Sequence, residues 1–304
     1  MYITNKDTII FEPKYNESLD FKLISQYKKI IFSDYPLSNG LFEAYNNFNI
    51  FNNLNFICSK FNQKVDNLSG TKNWLISWLF NPKVNQLSQL THLTFGYWFN
   101  QKVCKLPQLL THLTFGELFN QEVTKLPRQL THLTFGDSFN QEVNMLPPLL
   151  THLTFGWYFN QEVTKLPQLL THLTFGYNFN QEVAKLPQLL THLTFGTCFN
   201  QEVTKLPPLL TYLTFDFNFN KKVNTLPQQL THLTFGRCFN QVTKLPQLLT
   251  HLTFGECFNQ EVNMLPRQLT HLTFGYRFNK SNIYLPLGIK YLKLDCNNSI
   301  LIPI

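Results

Sequence analysis

The chain has 304 residues and a formal net charge of +7, and 15% of its residues are aromatic while only 14% are charged. So much apolar material excludes an intrinsically disordered chain. Because the opening residues lack the basic start and apolar stretch of a secretory signal and no eighteen apolar residues run together, we expect a cytoplasmic protein that does not cross a membrane.

The N-terminal segment, residues 1–50, is predicted to be a capping region with early, irregular repeats. Short apolar runs at Ile30–Phe32 and Leu54–Phe56 are typical of strands. The open edge of a sheet pairs with other chains unless something covers it, so we expect a cap at this end. Two degenerate copies of a repeated phrase follow, FNQKVDNLSG from Phe61 and FNPKVNQLSQL from Phe80.

A repeat of twenty residues dominates the rest of the chain, and we assign residues 51–295 to it. Ten close copies of the segment THLTFGYWFNQKVCKLPQLL begin at residues 91, 111, 131, 151, 171, 191, 211, 231, 250 and 270. The spacing shortens to nineteen once, at the Gln241–Val242 step, where the usual glutamate is missing. A last strand is predicted from Lys290, and residues 296–304 are predicted to form a C-terminal cap.

Each copy predicts one short strand followed by a return segment. Leu93 and Phe95 alternate with His92 and Thr94, which is the two-residue period of a strand with one buried side. The Leu-Pro pair further on disfavours a helix, so we expect an extended return or a brief turn. Because one copy cannot bury its own leucines, the copies must stack into a mainly β repeat solenoid with a parallel sheet of about fourteen strands.

Single columns of the repeat carry further predictions. The core is predicted to consist of Leu90, Leu93, Phe95, Phe99, Val103, Leu106 and their equivalents. The glycine after each strand is predicted to adopt a left-handed turn, since only Asp216 and Asp295 replace it. The asparagine of each Phe-Asn pair, such as Asn120, is expected to turn inward and bond neighbouring turns; an exposed asparagine is the alternative.

The repeated phrase LPxxLxxLxFGxxFNQxV resembles the FNIP-type leucine-rich repeat found in proteins of giant viruses and social amoebae. The resemblance covers about residues 54–295. It implies a right-handed, curved solenoid of the leucine-rich-repeat type that recognises proteins. Some relatives carry an N-terminal F-box and act as ubiquitin-ligase adaptors, but residues 1–50 show no such helical motif.

Two variable positions follow the glycine of each copy, where the strand leaves the sheet. Aromatic residues and arginine are frequent there, and these side chains dominate binding hot spots. Drift at unconstrained loop positions is the alternative interpretation. The residues predicted to bind a partner are Tyr97, Trp98, Trp157, Tyr158, Tyr177, Phe217, Arg237, Tyr276 and Arg277.

All nine histidines fall in one column, one residue before the strand leucine, as in His92 and His112. The strand period places them outward on the sheet face. A metal site needs converging ligands, whereas these form a straight file, so tandem duplication is the favoured explanation and metal binding the alternative. We predict no cofactor.

The remaining chemistry-bearing residues point away from catalysis. The sequence has no nucleophile elbow, phosphate-binding loop or zinc-like cysteine spacing, so we expect no enzyme and free thiols. Cys238 and Cys257 share a column and are expected on neighbouring rungs, reduced in the cell. The lysines recur singly, which favours a solvated face over a nucleic-acid site.

The prediction is therefore a scaffold that binds a protein, a host protein in the host cytoplasm if the chain is viral. Three other interpretations stay open: a structural or packaging component without a fixed ligand, a ubiquitin-ligase-type adaptor by family analogy, and a threonine-histidine face that orders water or ice. Neither a nucleic acid nor a membrane is expected as a partner, and the sequence leaves the oligomeric state undetermined.

Overall fold

The computed structural model describes strands 2–5, 8–11, 29–32 and 53–55 and residues 91–294, the latter without 96, 98, 104, 105, 184, 204, 224, 263, 281 and 282. The chain divides into two compact units, Met1–Trp157 and Tyr158–Ile304. The degenerate copies predicted from Phe61 and Phe80, most of the predicted N-terminal cap and the C-terminal cap lie outside the described residues.

In the first unit, the structure describes eight strands. They are β1 (Tyr2–Asn5), β2 (Thr8–Phe11), β3 (Lys29–Phe32), β4 (Asn53–Asn55), β5 (His92–Thr94), β6 (His112–Thr114), β7 (His132–Thr134) and β8 (His152–Thr154). Only β1 and β2 pair antiparallel, and every later pair in this unit is parallel. The strands predicted near residues 30 and 54 are confirmed as β3 and β4.

Seven strands are described in the second unit, and they pair in parallel, in sequence order. They are β9 (His172–Thr174), β10 (His192–Phe195), β11 (Tyr212–Phe215), β12 (His232–Thr234), β13 (His251–Thr253), β14 (His271–Phe274) and β15 (Tyr291–Leu294). The predicted repeat solenoid with a parallel sheet is confirmed. The described strands number fifteen against about fourteen predicted, and β1 is the antiparallel addition. Within the described residues, no helix is long and apolar enough to span a bilayer.

Two files of phenylalanine rings fill the core beside the strand leucines. Within a rung, the ring centroids of Phe115 and Phe119 are 3.8 Å apart. Between rungs, Phe115 lies 5.5 Å from Phe135, and Phe119 lies 6.0 Å from Phe139. These distances fall in or near the range of stabilising aromatic pairs. Burying such side chains, at about 1.5–3 kcal/mol each, is what holds one rung on the next.

Two β-turns complete a rung. The exit turn runs from the glycine after the strand to the phenylalanine three residues later, and the Phe119 amide donates to the Gly116 carbonyl at 3.2 Å. The entry turn precedes the next strand, and the Leu130 amide donates to the Pro127 carbonyl at 3.3 Å. Where it is described, the segment between the turns is neither helix nor strand and carries only bends or a brief turn, as at residues 144–145, which agrees with the predicted return. The two variable residues of each copy are the central residues of the exit turn.

The exit-turn glycine is required for a different reason from the one predicted. None of Gly136, Gly196 and Gly236 has a φ angle in the left-handed region. Instead, a Cβ on Gly136 would overlap the carbonyl group of Gly116 on the preceding rung, and a Cβ on Gly236 would overlap that of Asp216. Close stacking of the turns, and not a left-handed backbone, therefore favours glycine, although the turn of Asp216 accommodates a side chain in the same column.

The short rung departs from the predicted core at one position. Val242 was predicted to lie inward as the equivalent of Val103, but its side chain is 65% exposed, whereas Val203 and Val223 are buried. Thr243 takes the inward position, half-buried, and its hydroxyl lies 3.5 Å from the Val223 carbonyl oxygen. The residue missing from this copy therefore follows the inward-facing Thr243. Val242 stands at the exposed position that a glutamate occupies in most other copies.

The asparagine column forms the inward ladder that was predicted. The Asn120 amide donates to the Asn100 side-chain oxygen at 2.9 Å, and the Gln121 side-chain nitrogen donates to the same oxygen at 3.0 Å. Asn140 repeats the bond to Asn120 at 3.0 Å. Each asparagine therefore satisfies a backbone donor of the next rung, which a buried turn requires.

Candidate functional site

Backbone hydrogen bonds hold each exit turn on the turn of the preceding rung. The Cys238 amide donates to the Phe217 carbonyl, and the Cys257 amide donates to the Arg237 carbonyl, both at 2.8 Å. The same bond joins Leu118 to Tyr97 at 2.9 Å in the first unit. The variable side chains are thereby carried on a fixed backbone at regular spacing.

The predicted partner-binding residues are exposed wherever the structure describes them. Among the described aromatic members, the largest exposed fractions belong to Tyr276, at 62%, and Tyr158, at 55%. Tyr97 and Trp157 lie on exit turns of the first unit; the others are exposed in the second unit: Tyr158, Tyr177, Phe217, Arg237, Tyr276 and Arg277. Trp98 lies outside the described residues.

Acidic residues at the first variable position of the first unit serve the backbone. The Asp137 amide donates to a Glu117 carboxylate oxygen at 3.0 Å, and the Trp157 amide donates to an Asp137 carboxylate oxygen at 3.1 Å. Each carboxylate thus caps the turn of the next rung. These variable positions therefore hold structural residues as well as exposed aromatic ones, a division that the sequence pattern did not reveal.

In the second unit, Arg237 is held between two neighbours of its own chain. Its guanidinium carbon lies 5.0 Å from the centre of the Phe217 ring, and its Nε lies 2.7 Å from a Glu256 carboxylate oxygen. Both charged side chains are about half exposed, at 49% and 54%, so the ion pair adds little stability. It does fix the position of the guanidinium on this surface.

Three cysteines of the second variable position, Cys198, Cys238 and Cys257, are free and half-buried thiols. Cys238 and Cys257 lie on neighbouring rungs, as predicted, at the same position of their exit turns. Burial, together with the nearby Cys257 thiol, raises the pKa of Cys238.

The histidines form stacked files on the outer face of the sheet, half-exposed as the strand period predicted. The ring centroids of His112 and His132 are 4.1 Å apart, with an angle of 12° between the rings. In the second unit, Tyr212 replaces one imidazole and stacks between His192 and His232 at 4.3 and 4.1 Å. Burial lowers the pKa of His112, His172, His232 and His251, and neighbouring imidazoles add to the effect at all of these except His172.

The hydroxyl oxygen of the threonine before each histidine lies within hydrogen-bond distance of Nδ1 of that histidine. The Thr131 hydroxyl donates to the Thr111 carbonyl oxygen at 3.1 Å, and the same hydroxyl oxygen lies 2.9 Å from Nδ1 of His132. A hydroxyl has one proton to donate, so a hydroxyl that donates to the Thr111 carbonyl leaves Nδ1 as the donor in the second contact. We therefore expect the neutral ring to be the Nδ1–H tautomer, with Nε2 as its acceptor.

An exposed leucine column went unassigned in the sequence. It lies in the entry turn, in the first leucine of each Leu-Leu pair, while the second leucine is buried. The exposed members are Leu109, Leu149, Leu169, Leu189, Leu209 and Leu248. The signal available was the doublet itself, because a strand period can bury only one of two adjacent side chains. In the described part of the chain, no three His, Cys, Asp or Glu side chains come together as a metal site requires.

The solved structures that resemble the chain include CroV588 and YopM. The chain is 38% identical to CroV588, described as a circular leucine-rich-repeat protein, with a TM-score of 0.65 over 96% of this chain and 50% of that one. YopM from Yersinia enterocolitica WA-314 is 18% identical, with a TM-score of 0.47 over 89% of this chain and 60% of that one. The chain thus spans half the length of CroV588. No curated protein matches it.

The FNIP repeat model matches segments that together span residues 99–297. The matched segments are 99–138, 119–156, 139–166, 159–198, 199–238, 239–277 and 261–297. They include the asparagine ladder, the strands from β6 onward and the exit turns that follow those strands up to Arg277. With this match and the leucine-rich-repeat fold of its structural neighbour, the chain belongs to the family of FNIP-repeat proteins.

Proposed function

We propose that this chain is a scaffold that binds a protein partner through its exit turns. The leucine-rich-repeat solenoid is a fold commonly used for protein–protein interaction, which supports the general class. The proposed contact residues are Tyr97, Trp98, Trp157, Tyr158, Tyr177, Phe217, Arg237, Tyr276 and Arg277. A cytoplasmic partner fits this proposal, a host protein if the chain is viral, and no catalytic step is assigned to the chain.

One observation carries the proposal: large aromatic side chains are exposed on turns whose backbone is already hydrogen-bonded to the turn of the preceding rung. The amide of the second turn residue is paired with the preceding rung, as in Cys238 with Phe217 and Arg277 with Glu256. A partner that covers Tyr276 or Phe217 therefore does not have to order the turn, which removes one cost of association. Aromatic residues and arginine are also the side chains that contribute most at interface centres.

Photo-crosslinking from single positions tests the proposal. We would replace Tyr177, Phe217 or Tyr276 with benzoylphenylalanine in the full chain and irradiate it in host-cell lysate. Tyr284 provides the matched control, because it is equally aromatic and highly exposed but lies outside the exit turns. We expect one protein to be crosslinked from the exit-turn positions and not from position 284.

The structural or packaging alternative predicts a different pattern. A component without a fixed ligand would give the same diffuse products from position 284 as from the exit turns, and that result would contradict the proposal. The adaptor alternative rests on family analogy; it requires the crosslinked protein to be ubiquitinated in the presence of this chain.

A further inference from the structure

Two thiols occupy the same place on neighbouring exit turns of the second unit. Strands β12 and β13 pair His232 with His251, and the Cys257 amide bonds the Arg237 carbonyl at 2.8 Å. These contacts put the two rungs in register, so that Cys238 and Cys257 stand at the same position of adjacent exit turns. The Arg237–Glu256 ion pair joins the same two turns.

This spacing suits a covalent bond between the sulfurs. Aligned residues on adjacent parallel strands lie about 4.8 Å apart, inside the range of about 4.4–6.8 Å between the α-carbons of a disulfide. Cys198 stands two rungs before Cys238, with Asn218 between them. That separation, about 9.6 Å at the same strand spacing, exceeds the limit of about 7 Å beyond which a disulfide requires backbone movement.

We propose that Cys238 and Cys257 are a dithiol modification site that a low-molecular-weight disulfide, such as oxidised glutathione, converts to an intramolecular disulfide. One cysteine thiolate attacks a glutathione sulfur and releases glutathione thiolate, leaving a mixed disulfide. The second cysteine then loses its proton to water and attacks the protein sulfur of that mixed disulfide, releasing the second glutathione. The two cysteines are oxidised, and one glutathione disulfide is reduced to two thiols.

The expected state therefore follows the redox compartment. In a reducing cytoplasm the pair stays as two thiols, and in an oxidising environment it becomes a bond between two rungs. Because this bond restricts the unfolded chain, the oxidised protein should melt at a higher temperature than the reduced protein. The site does not depend on whether the exit turns bind a partner.

Thiol trapping after exposure to glutathione buffers tests the site. The full chain, with Cys58, Cys104 and Cys296 changed to serine, is equilibrated at increasing ratios of oxidised to reduced glutathione, alkylated and digested with trypsin. Cleavage after Arg237, Lys244 and Arg267 puts the two cysteines on separate peptides, residues 238–244 and 245–267. We expect these peptides to become disulfide-linked within one molecule, with a rise in melting temperature that dithiothreitol reverses.

Cys198 is the matched control within the same molecule. It belongs to the same column and is also half-buried, but its neighbours in that column are Asn178 and Asn218. It should take up glutathione and form no crosslink, and Cys238→Ser should make Cys257 behave in the same way. The proposal is overturned if Cys238 and Cys257 carry glutathione as Cys198 does, or if they link only between molecules. The unsubstituted chain yields the same two peptides should the triple variant fail to fold.

Discussion

Gly236 stands where the backbones of two rungs come closest. Its missing side chain leaves room for the Asp216 carbonyl group, whereas a Cβ on Gly288 would meet only atoms at an ordinary 3.6 Å. We expect Gly236→Ala to lower the free energy of unfolding by about 1–3 kcal/mol, the usual cost of overpacking. Gly288→Ala should stay within about 0.5 kcal/mol of the parent protein, as at most surface sites. Urea unfolding of both variants checks this, and an equal effect would show that close stacking is not the cause.

The tautomer of the histidines is a second prediction at this scale. Because the Thr131 hydroxyl proton is engaged by the Thr111 carbonyl, we expect neutral His132 to carry its proton on Nδ1. Long-range proton–nitrogen NMR spectra at pH 8 distinguish the two nitrogens. Thr131→Val removes the acceptor and should shift His132 toward the Nε2–H form while the other rings stay unchanged. A protonated Nε2 in the parent protein would contradict the assignment.

At the scale of the element, the nineteen-residue rung that contains Val242 shows that the type of a residue does not by itself determine which position of the repeat it occupies. Val242 is exposed, while Thr243 occupies the inward place that Val223 holds in the rung before it. Val242→Thr should therefore change the free energy of unfolding by no more than about 0.5 kcal/mol. Val223→Thr buries a hydroxyl in the core and should cost about 1–3 kcal/mol.

Thr243→Val completes this comparison. It places an apolar side chain at the half-buried inward position and should stabilise the protein by about 1 kcal/mol, roughly one buried methylene group. Denaturant unfolding of the three variants measures the differences. A large loss in Val242→Thr would mean that the valine packs inward after all.

At the scale of the whole molecule, the histidine files make stability depend on pH. Burial and neighbouring imidazoles hold the pKa of His112, His232 and His251 below 6.5 in the folded chain. The unfolded chain then binds more protons than the folded chain as pH falls through about 6.5. Stability should accordingly be fully present above that pH and decline below it. Thermal melts from pH 8 to pH 4.5 measure the decline, and added salt should reduce the part that arises from charge repulsion.

Tyr212 provides the matched pair for this test. It separates His192 from His232 in the second unit, so Tyr212→His joins two short files into a longer one. Two charges about 4 Å apart repel by about 1 kcal/mol in water and more near protein. Tyr212→His should thus lose more stability between pH 8 and pH 5 than Tyr212→Phe. Identical pH profiles for the two variants would exclude repulsion between the rings.

The stacked architecture could be predicted from the sequence because the same residues recur in every copy. Leu93 and Phe95 alternate with polar residues, and that alternation alone determines which face is buried. The environment of Arg237 could not be predicted, since it depends on which rotamers Phe217 and Glu256 adopt on adjacent rungs. Val242 was predicted to lie inward because matching residue types puts the missing residue of this copy before the valine. The packing shows instead that the missing residue follows Thr243. The glycine was identified for the wrong reason, because distances between turns are not visible in one copy.

The asparagine ladder and the phenylalanine files have a consequence beyond the single chain. Parallel strands in register, with identical side chains stacked above one another, are also the arrangement of an amyloid fibril, where asparagine ladders and stacked aromatic rings bind one molecule to the next. Here one chain supplies all the layers itself. The Asn120 amide donates to the Asn100 side chain, and the Asn140 amide donates to the Asn120 side chain. Every rung therefore presents to the next rung the same kind of surface that it packs against on the preceding rung. A fragment holding a single copy would therefore find its best partner in another copy of itself, and the intact chain protects against fibre growth only where its terminal rungs are covered.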